Sequence, residues 1–197
     1  VLEALTPLVV ENERSAWSTR IAELRCQFPL VMPGEKEVTS AYGLIRLVGA
    51  LAPDNAVIAT DVGQHQMFTA QAYPFRRPGR WLTSGGLGTM GFGMPTAIGA
   101  ALADPEATVI CFSGDGSILM NIQEFATAVE EQVNIKVIIL NNRSLGLVHQ
   151  QQDLFYGRRI YASQFRVDID FIRIAEGFGL RTYDLAGAAD PRGVLAE

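Results

Sequence analysis

The apolar positions of this chain fall into blocks that switch between helical and strand-like spacing. Leu44, Leu47, Val48 and Leu51 recur on one helical face, and that pattern stops before Pro53 and Asp54. Ala56 to Thr60 is a short unbroken apolar run, as expected of a buried strand, and it hands over to the polar turn Asp61-Val62-Gly63-Gln64-His65. A helix is expected from that turn to about Ala72. Pro95 to Ala103 predicts a helix of small residues suited to close packing. Thr108 to Phe112 predicts a second buried strand, leading into Gly114-Asp115-Gly116. Ile118, Ile122, Phe125 and Val129 then predict one amphipathic helix, and Val137 to Leu140 a third strand ending on Asn141-Asn142. Asp170 caps a helix carrying Phe171, Ile174, Ala175 and Phe178, which Gly179 stops. Leu180 to Leu185 is expected to be a last strand, with a helix starting at Asp190 and a further strand missing. Helix and strand alternate throughout. This predicts a doubly wound α/β domain with a mainly parallel sheet and helices on both faces, whose ligands sit at the strands' carboxyl ends.

The first 37 residues read differently. Leu2, Leu5 and Val9, then Trp17, Ile21 and Leu24, mark an untidy helical stretch to Leu30. Pro29, Pro33 and Gly34 break it, and charges follow to Glu37. Either this stretch is a connector from a preceding domain, or it packs on the surface of the compact domain that starts near Val38. The chain is 197 residues long, 48% hydrophobic and 19% charged, an ordinary globular composition. It opens on Val1 without Met, signal or transit pattern, and is expected to be a piece of a longer protein. A formal charge of -5 with scattered basic residues argues against a nucleic-acid surface. The longest apolar stretch, Gly91 to Ala103, is too short and too interrupted to span a membrane. Cys26 and Cys111 share no metal-ligand or redox spacing. Cys111 lies inside a strand pattern, as a buried free thiol suited to a reducing compartment.

The chemistry concentrates at three turns. A strand–turn–helix–strand unit makes its two strands parallel and adjacent, so Asp115 and Asn142, distant in sequence, are expected side by side. Both carry hard oxygen donors above a helix start near Ser117. A hard cation and a phosphate are the natural occupants. His65, at the end of another strand, is either a structural histidine or a ligand contact. Gly86, Gly88 and Gly91 spell GxGxxG, but no acid follows at the end of the next strand, so a nicotinamide-type site fits poorly. The five glycines from Gly85 to Gly93 instead suit a backbone that approaches a flat ligand closely, with Met90 as a soft apolar surface. Arg143 to Arg159, including His149 and Gln150-Gln151-Gln152, is a long polar stretch with a short helix, placed to cover the site. No GxxxxGK[ST] and no nucleophile elbow is present.

GDG at Gly114–Gly116 followed by Asn141-Asn142 resembles the signature of thiamine-diphosphate enzymes. The stretches Asp61–Met67, Thr83–Pro95 and Leu147–Gln152 resemble the acetolactate synthase (acetohydroxyacid synthase) large-subunit family, most closely its bacterial isozyme I type. The resemblance runs from roughly Val38 to Leu185. It implies a connector over residues 1–37 and, over 38–197, a pyrophosphate- and Mg²⁺-binding domain truncated at its C-terminus. It implies that Asp115 and Asn142 bind Mg²⁺ by side chain and Ser144 by its carbonyl. Gly114, Gly116, Ser117, Gly63, Gln64 and His65 would hold the pyrophosphate, largely through backbone amides. Gly88 would bond the aminopyrimidine, Met90 would support the bent cofactor, and Gly146 and Leu147 would close over the diphosphate.

The family's reaction is decarboxylation of pyruvate and addition of the two-carbon unit to a second 2-ketoacid, in branched-chain amino-acid biosynthesis. The resemblance implies a cytoplasmic homodimer or tetramer with a small regulatory subunit, and FAD held only in a middle domain that this chain lacks. The glutamate that activates the cofactor belongs to another domain of a partner subunit, so no catalytic residue is expected in this chain, and the chain alone is expected to be inactive. Many family members carry Trp where this chain has Gln151. That places Gln151 at the second-ketoacid pocket and suggests only a weak preference for 2-ketobutyrate over pyruvate as acceptor, with poor sulfonylurea sensitivity. The alternatives are another thiamine-diphosphate enzyme (a 2-ketoacid decarboxylase, pyruvate oxidase or glyoxylate carboligase) or a non-catalytic Rossmann-like dinucleotide-binding module.

Overall fold

The computed structural model describes residues 2–9 and 12–196, except the side chain of Leu2; Val1 and that side chain, both within the first helical pattern, lie outside the described residues. Two compact units are present, Val1–Met32 and Pro33–Glu197. The first holds α1 (Leu2–Leu5), a 3-10 turn at Thr6–Leu8, and α2 (Ser15–Gln27). On α2, Ile21 and Leu24 are half-buried, whereas Trp17 is 61% exposed.

The second unit takes in the turn at residues 33–36, which the sequence pattern assigns to a linker. That turn is tied down. Glu37 N donates to Gly34 O at 2.8 Å, Ser40 Oγ also donates to Gly34 O, and Arg46 pairs with Glu35 at 2.9 Å. Ser40 then caps α3 (Ala41–Leu51), accepting from Gly43 N at 3.0 Å. β1 (Val57–Thr60), α4 (Gln64–Ala72), β2 (Trp81–Thr83), α5 (Gly93–Ala103), β3 (Val109–Gly114), α6 (Asp115–Ile118), α7 (Glu124–Glu130), β4 (Ile135–Leu140), α8 (Gly146–Phe155), α9 (Phe171–Gly177) and α10 (Pro191–Ala196) follow.

All the strand pairs are parallel, in the order β2-β1-β3-β4. The alternation of side chains covers both faces. Val57, Ala59, Val109 and Cys111 pack with Ala97 and Ala101 of α5. The intervening residues Ile58, Ile110 and Phe112 are buried on the opposite face, where the Tyr73 ring meets Phe112 edge-on at 6.3 Å. A second cluster joins Met94, Ile98, Ile118, Phe125, Ala128 and Ala175. Near-complete burial of β1 and β3 is what a parallel sheet sandwiched by helices requires.

Three elements differ from the sequence pattern. β2 is an unanticipated edge strand of three half-buried residues, too short to announce itself. The single helix expected from Ile118 to Val129 is broken into α6 and α7. Asn121, between them, donates its side-chain N–H to Gly91 O at 2.6 Å, which pulls the chain off the helical path. Val129 in consequence is 39% exposed, and Phe125 and Ala128 fill the buried face. Leu180 to Leu185 is not a strand. After Gly179, at φ +88°, the chain folds back on α9: Leu180 N donates to Ala175 O at 3.0 Å and Thr182 Oγ1 to Glu176 Oε1 at 3.1 Å. Asp170 caps α9 as the pattern predicts, accepting from Arg173 N at 3.0 Å. Among the described residues no helix is long and apolar enough to cross a membrane.

Candidate cofactor and metal site

From β1 the chain moves outward to β2, and from β3 outward the other way to β4. The carboxyl ends of β1 and β3 therefore flank a crevice where the winding reverses, the usual ligand position in such sheets. Register decides what meets there. Thr60 pairs with Phe112 and Gly114 with Leu140, so the turns after β1, β3 and β4 converge.

Asp115 is the first residue beyond β3 and only 3% exposed. Its Oδ1 accepts from Gly116 N at 2.9 Å and its Oδ2 from Ser144 N at 3.1 Å. Each oxygen keeps lone-pair capacity for a further partner. Burial raises the carboxyl's pKa, while the surrounding backbone N–H donors pull it back down. A cation beside it would remove that penalty. Asn142 lies past β4 on the same rim, and its Nδ2 donates to Gln64 Oε1 at 3.2 Å. Arg143, at φ +55°, turns the chain so that Ser144 N reaches Asp115. The segment is further held by Ser144 Oγ and Leu145 N, both donating to Ser163 O, at 2.7 and 2.8 Å. The available oxygens are thus one carboxylate, one amide and the backbone carbonyls of this turn. Among the described residues no three His, Cys, Asp or Glu side chains converge. Such a sparse, hard-oxygen set suits Mg²⁺, which takes its remaining ligands from phosphate and water.

The turn after β1 forms the facing wall. Gly63, at φ +154°, starts α4, whose first amides have no intrahelical acceptor. A side chain at Gly63 would come within 2.9 Å of the His65 ring, and one at Gly114 within 2.8 Å of His65 Nδ1. His65 is 6% exposed, its Nε2 has no partner, and burial lowers its pKa to about 4 against the pull of Asp61. The imidazole is therefore neutral at pH 7. Ser117 Oγ donates to Val62 O at 2.7 Å and ties α6 to this turn.

The cleft between these turns is lined by Gly63, Gln64, His65, Gly88, Met90, Gly114, Asp115, Gly116, Ser117, Asn142, Ser144, Gly146 and Leu147. All but one of the residues taken from the sequence as ligands or cofactor contacts line this cavity, which also runs along the sheet past Leu51, Ile135 and Leu180. The exception is Gln151, which is exposed on α8 and does not line the cleft. Gly116 N is already engaged by Asp115, so a phosphate would have to share that donor. The glycine-rich loop has a strand before it after all, β2, and α5 after it.

Asp61 carries a role the sequence did not suggest. It is fully buried, and its Oδ1 accepts from Val62 N and Gly91 N, both at 2.8 Å, while Ser113 Oγ lies 3.3 Å from its Oδ2. It pins the glycine-rich loop to the ends of β1 and β3. The only local signal is an acid closing an apolar strand.

The family model described as thiamine pyrophosphate enzyme, C-terminal TPP binding domain, matches residues 61–196. The acetolactate synthase isozyme 1 large subunit of Escherichia coli (strain K12) is 57% identical over 197 residues, covering 100% of this chain and 35% of that protein. The protein named probable acetolactate synthase 2, chloroplastic, from Oryza sativa subsp. japonica is 40% identical over 192 residues, covering 93% and 29%. Among solved structures, the Rhodococcus jostii RHA1 thiamine diphosphate-dependent 4-hydroxybenzoylformate decarboxylase superposes with a TM-score of 0.73 at 29% identity, covering 80% of this chain and 29% of that one. The chain spans about a third of the length of the curated relatives it matches.

Proposed function

Because this chain belongs to the thiamine pyrophosphate enzymes, as their C-terminal cofactor-binding domain, we propose that Asp115, Asn142 and Ser144 hold a Mg²⁺ that clamps the cofactor's diphosphate. The observation that carries this is the buried Asp115 carboxylate, with lone pairs to spare, on the rim it shares with Asn142 and Ser144. Asp115 and Asn142 ligate by side chain and Ser144 by its carbonyl. The amides of Gly63, Gln64, His65, Gly116 and Ser117 meet the phosphate oxygens, as helix starts do. Gly114 leaves room for the His65 ring that backs this wall. Gly88 offers backbone to the aminopyrimidine and Met90 an apolar support. Gly146 and Leu147 close the cleft from α8. Leu145 and Phe165 pack over Gly116, where an added side chain would come within 3.3 Å of the Phe165 ring. The cofactor, when bound, supplies the electron sink for 2-ketoacid decarboxylation.

The whole protein, on this reading, is an acetolactate synthase of the cytoplasm. It decarboxylates pyruvate and joins the product to a second 2-ketoacid, pyruvate or 2-ketobutyrate. Its catalytic subunits form dimers or tetramers with a small regulatory subunit, FAD sits in a middle domain, and the activating glutamate comes from another domain. On this reading the cofactor-binding domain begins at the Pro33 turn, a few residues before the start near Val38 that the sequence pattern suggests. Gln151 faces outward from α8, where a second domain completes the acceptor pocket. Product ratios of the full-length enzyme with and without Gln151→Trp test this, and an unchanged ratio counts against it.

The metal reading is tested by calorimetric titration of the full-length protein with thiamine diphosphate. Asp115→Ala is expected to abolish the Mg²⁺-dependent binding, and unchanged affinity refutes the assignment. Product analysis with pyruvate tests the activity. Acetolactate supports the synthase, whereas aldehyde alone favours a decarboxylase, the class of the Rhodococcus jostii structure.

A further inference from the structure

Three side-chain amides run head to tail from the rim of the cleft to α8. Asn142 Nδ2 donates to Gln64 Oε1 at 3.2 Å, and Gln64 Nε2 donates to Gln150 Oε1 at 2.8 Å. A primary amide has a donor end and an acceptor end, so the orientation of each member dictates that of the next. Gln150 accepts, and Gln64 therefore turns its NH₂ toward α8. The Gln64 carbonyl is left facing Asn142, and the Asn142 NH₂ turns to meet it. The Asn142 oxygen is thereby directed away from Gln64 and left free. A reversed Asn142 would present N–H hydrogens, which no cation accepts. Gly146 allows this clasp to close, since a side chain there would collide with Gln64 Oε1 and lie 2.7 Å from Asn142 Nδ2.

The same helix grips the other end of the turn. Gln152 Oε1 accepts from Ser163 Oγ at 2.7 Å and from Tyr161 N at 3.2 Å, and its Nε2 donates to Tyr161 O at 2.9 Å. Ser163 O in turn accepts from Ser144 Oγ and Leu145 N. Gln150 and Gln152, on either side of the exposed Gln151, hold the segment 142–145 from both ends.

We infer that Gln64 and Gln150 are positioning residues for the metal site, setting the polarity of the Asn142 amide so that its oxygen faces the cation. This rests on the reading of Asp115, Asn142 and Ser144 as metal ligands. It gives the Gln64 side chain a task separate from its backbone amide, and gives Gln150 a task although it touches neither metal nor cofactor. Partners of this kind typically change metal affinity 10- to 100-fold when removed.

The probe is Mn²⁺, with free ion counted by electron paramagnetic resonance in the full-length protein with thiamine diphosphate. Gln150→Met removes the acceptor while keeping the length of the side chain. It is expected to raise the Mn²⁺ dissociation constant about tenfold, with kcat recovering at saturating metal and cofactor. Gln150→Glu keeps an acceptor for Gln64 and is expected to bind Mn²⁺ close to the wild-type level. Gln64→Met tests the clasp from α4, with the same expected rise in the Mn²⁺ dissociation constant. A carboxylate has no donor end to misdirect, so in an Asn142→Asp background Gln150→Met is expected to leave Mn²⁺ affinity unchanged. A loss of equal size in that background, or an equal loss in Gln150→Glu, overturns orientation in favour of a merely structural role. Asp115→Asn separates the two layers. If it leaves Mn²⁺ binding intact, the metal reading itself fails. If it abolishes binding while Gln150→Met binds as wild type, only the polarity proposal fails.

Discussion

His65 is a buried imidazole whose pKa burial lowers to about 4. The unfolded chain takes up a proton there near pH 6.5, and the folded chain only near pH 4. Stability is therefore fully present above pH 6.5 and falls as the pH drops through that window, by roughly 3 kcal/mol. Urea unfolding of wild type and His65→Gln at pH 7 and pH 4.5 checks this, and the variant is expected to lose less across the interval. Asp115 has the opposite sign. Its raised pKa makes the metal-free fold lose stability as the pH rises through that pKa. Mg²⁺ with thiamine diphosphate is expected to cancel the loss in wild type, and Asp115→Ala, which has no carboxyl there, is expected to lack this pH-dependent loss with or without Mg²⁺, as thermal unfolding at two pH values would register. Asp61 is a residue of a different kind, fully buried and fully engaged. Asp61→Ala leaves Gly91 N and Ser113 Oγ without this acceptor, and is expected to cost about 3 kcal/mol and to loosen the glycine-rich loop. A midpoint unchanged in urea would remove Asp61 from this role.

At the level of elements, the sheet was legible where the apolar runs were long. The buried runs of β1 and β3 allow no other partner than a sheet covered on both sides. β2 was not legible because three half-buried residues carry no period, and only pairing of Trp81, Leu82 and Thr83 with β1 makes them a strand. The split between α6 and α7 was hidden for another reason. Ile118, Ile122 and Phe125 keep helical spacing, but Asn121 finds an acceptor at Gly91 O from a loop 30 positions upstream. Helical propensity at a single turn loses to such a bond. α7 nonetheless matters to the core, because Phe125 is 2% exposed and meets Phe178 edge-on at 5.9 Å. Phe125→Ala is expected to destabilise by about 3–5 kcal/mol, measured as a fall in the urea midpoint without a change in slope.

For the molecule as a whole, no glutamate lines the cleft among the described residues. The chain alone is therefore expected to yield no acetolactate from pyruvate, thiamine diphosphate and Mg²⁺, whereas the full-length protein is expected to yield it on the proposed reading. Measurable turnover by the chain alone would overturn that expectation. What the sequence determined by itself was the inventory of oxygens and their order: Asp115 after one apolar run, Asn142 after the next, glycines where backbone must come close. Two adjacent parallel strands joined by a crossover leave little freedom in where those residues end up, so Asp115 and Asn142 could be paired from pattern alone. Only the tertiary structure decided which groups surround them. Whether Gln64 would face Asn142, whether Asp61 would reach Gly91, and whether Gln151 would turn outward depend on how α4, α8 and the glycine-rich loop pack. Those contacts join residues 30 to 86 positions apart, and no local period encodes them. The convergence of the turns that carry Asp115 and Asn142 was thus readable from the chain. The amides that orient Asn142 became visible only once distant helices closed on one turn.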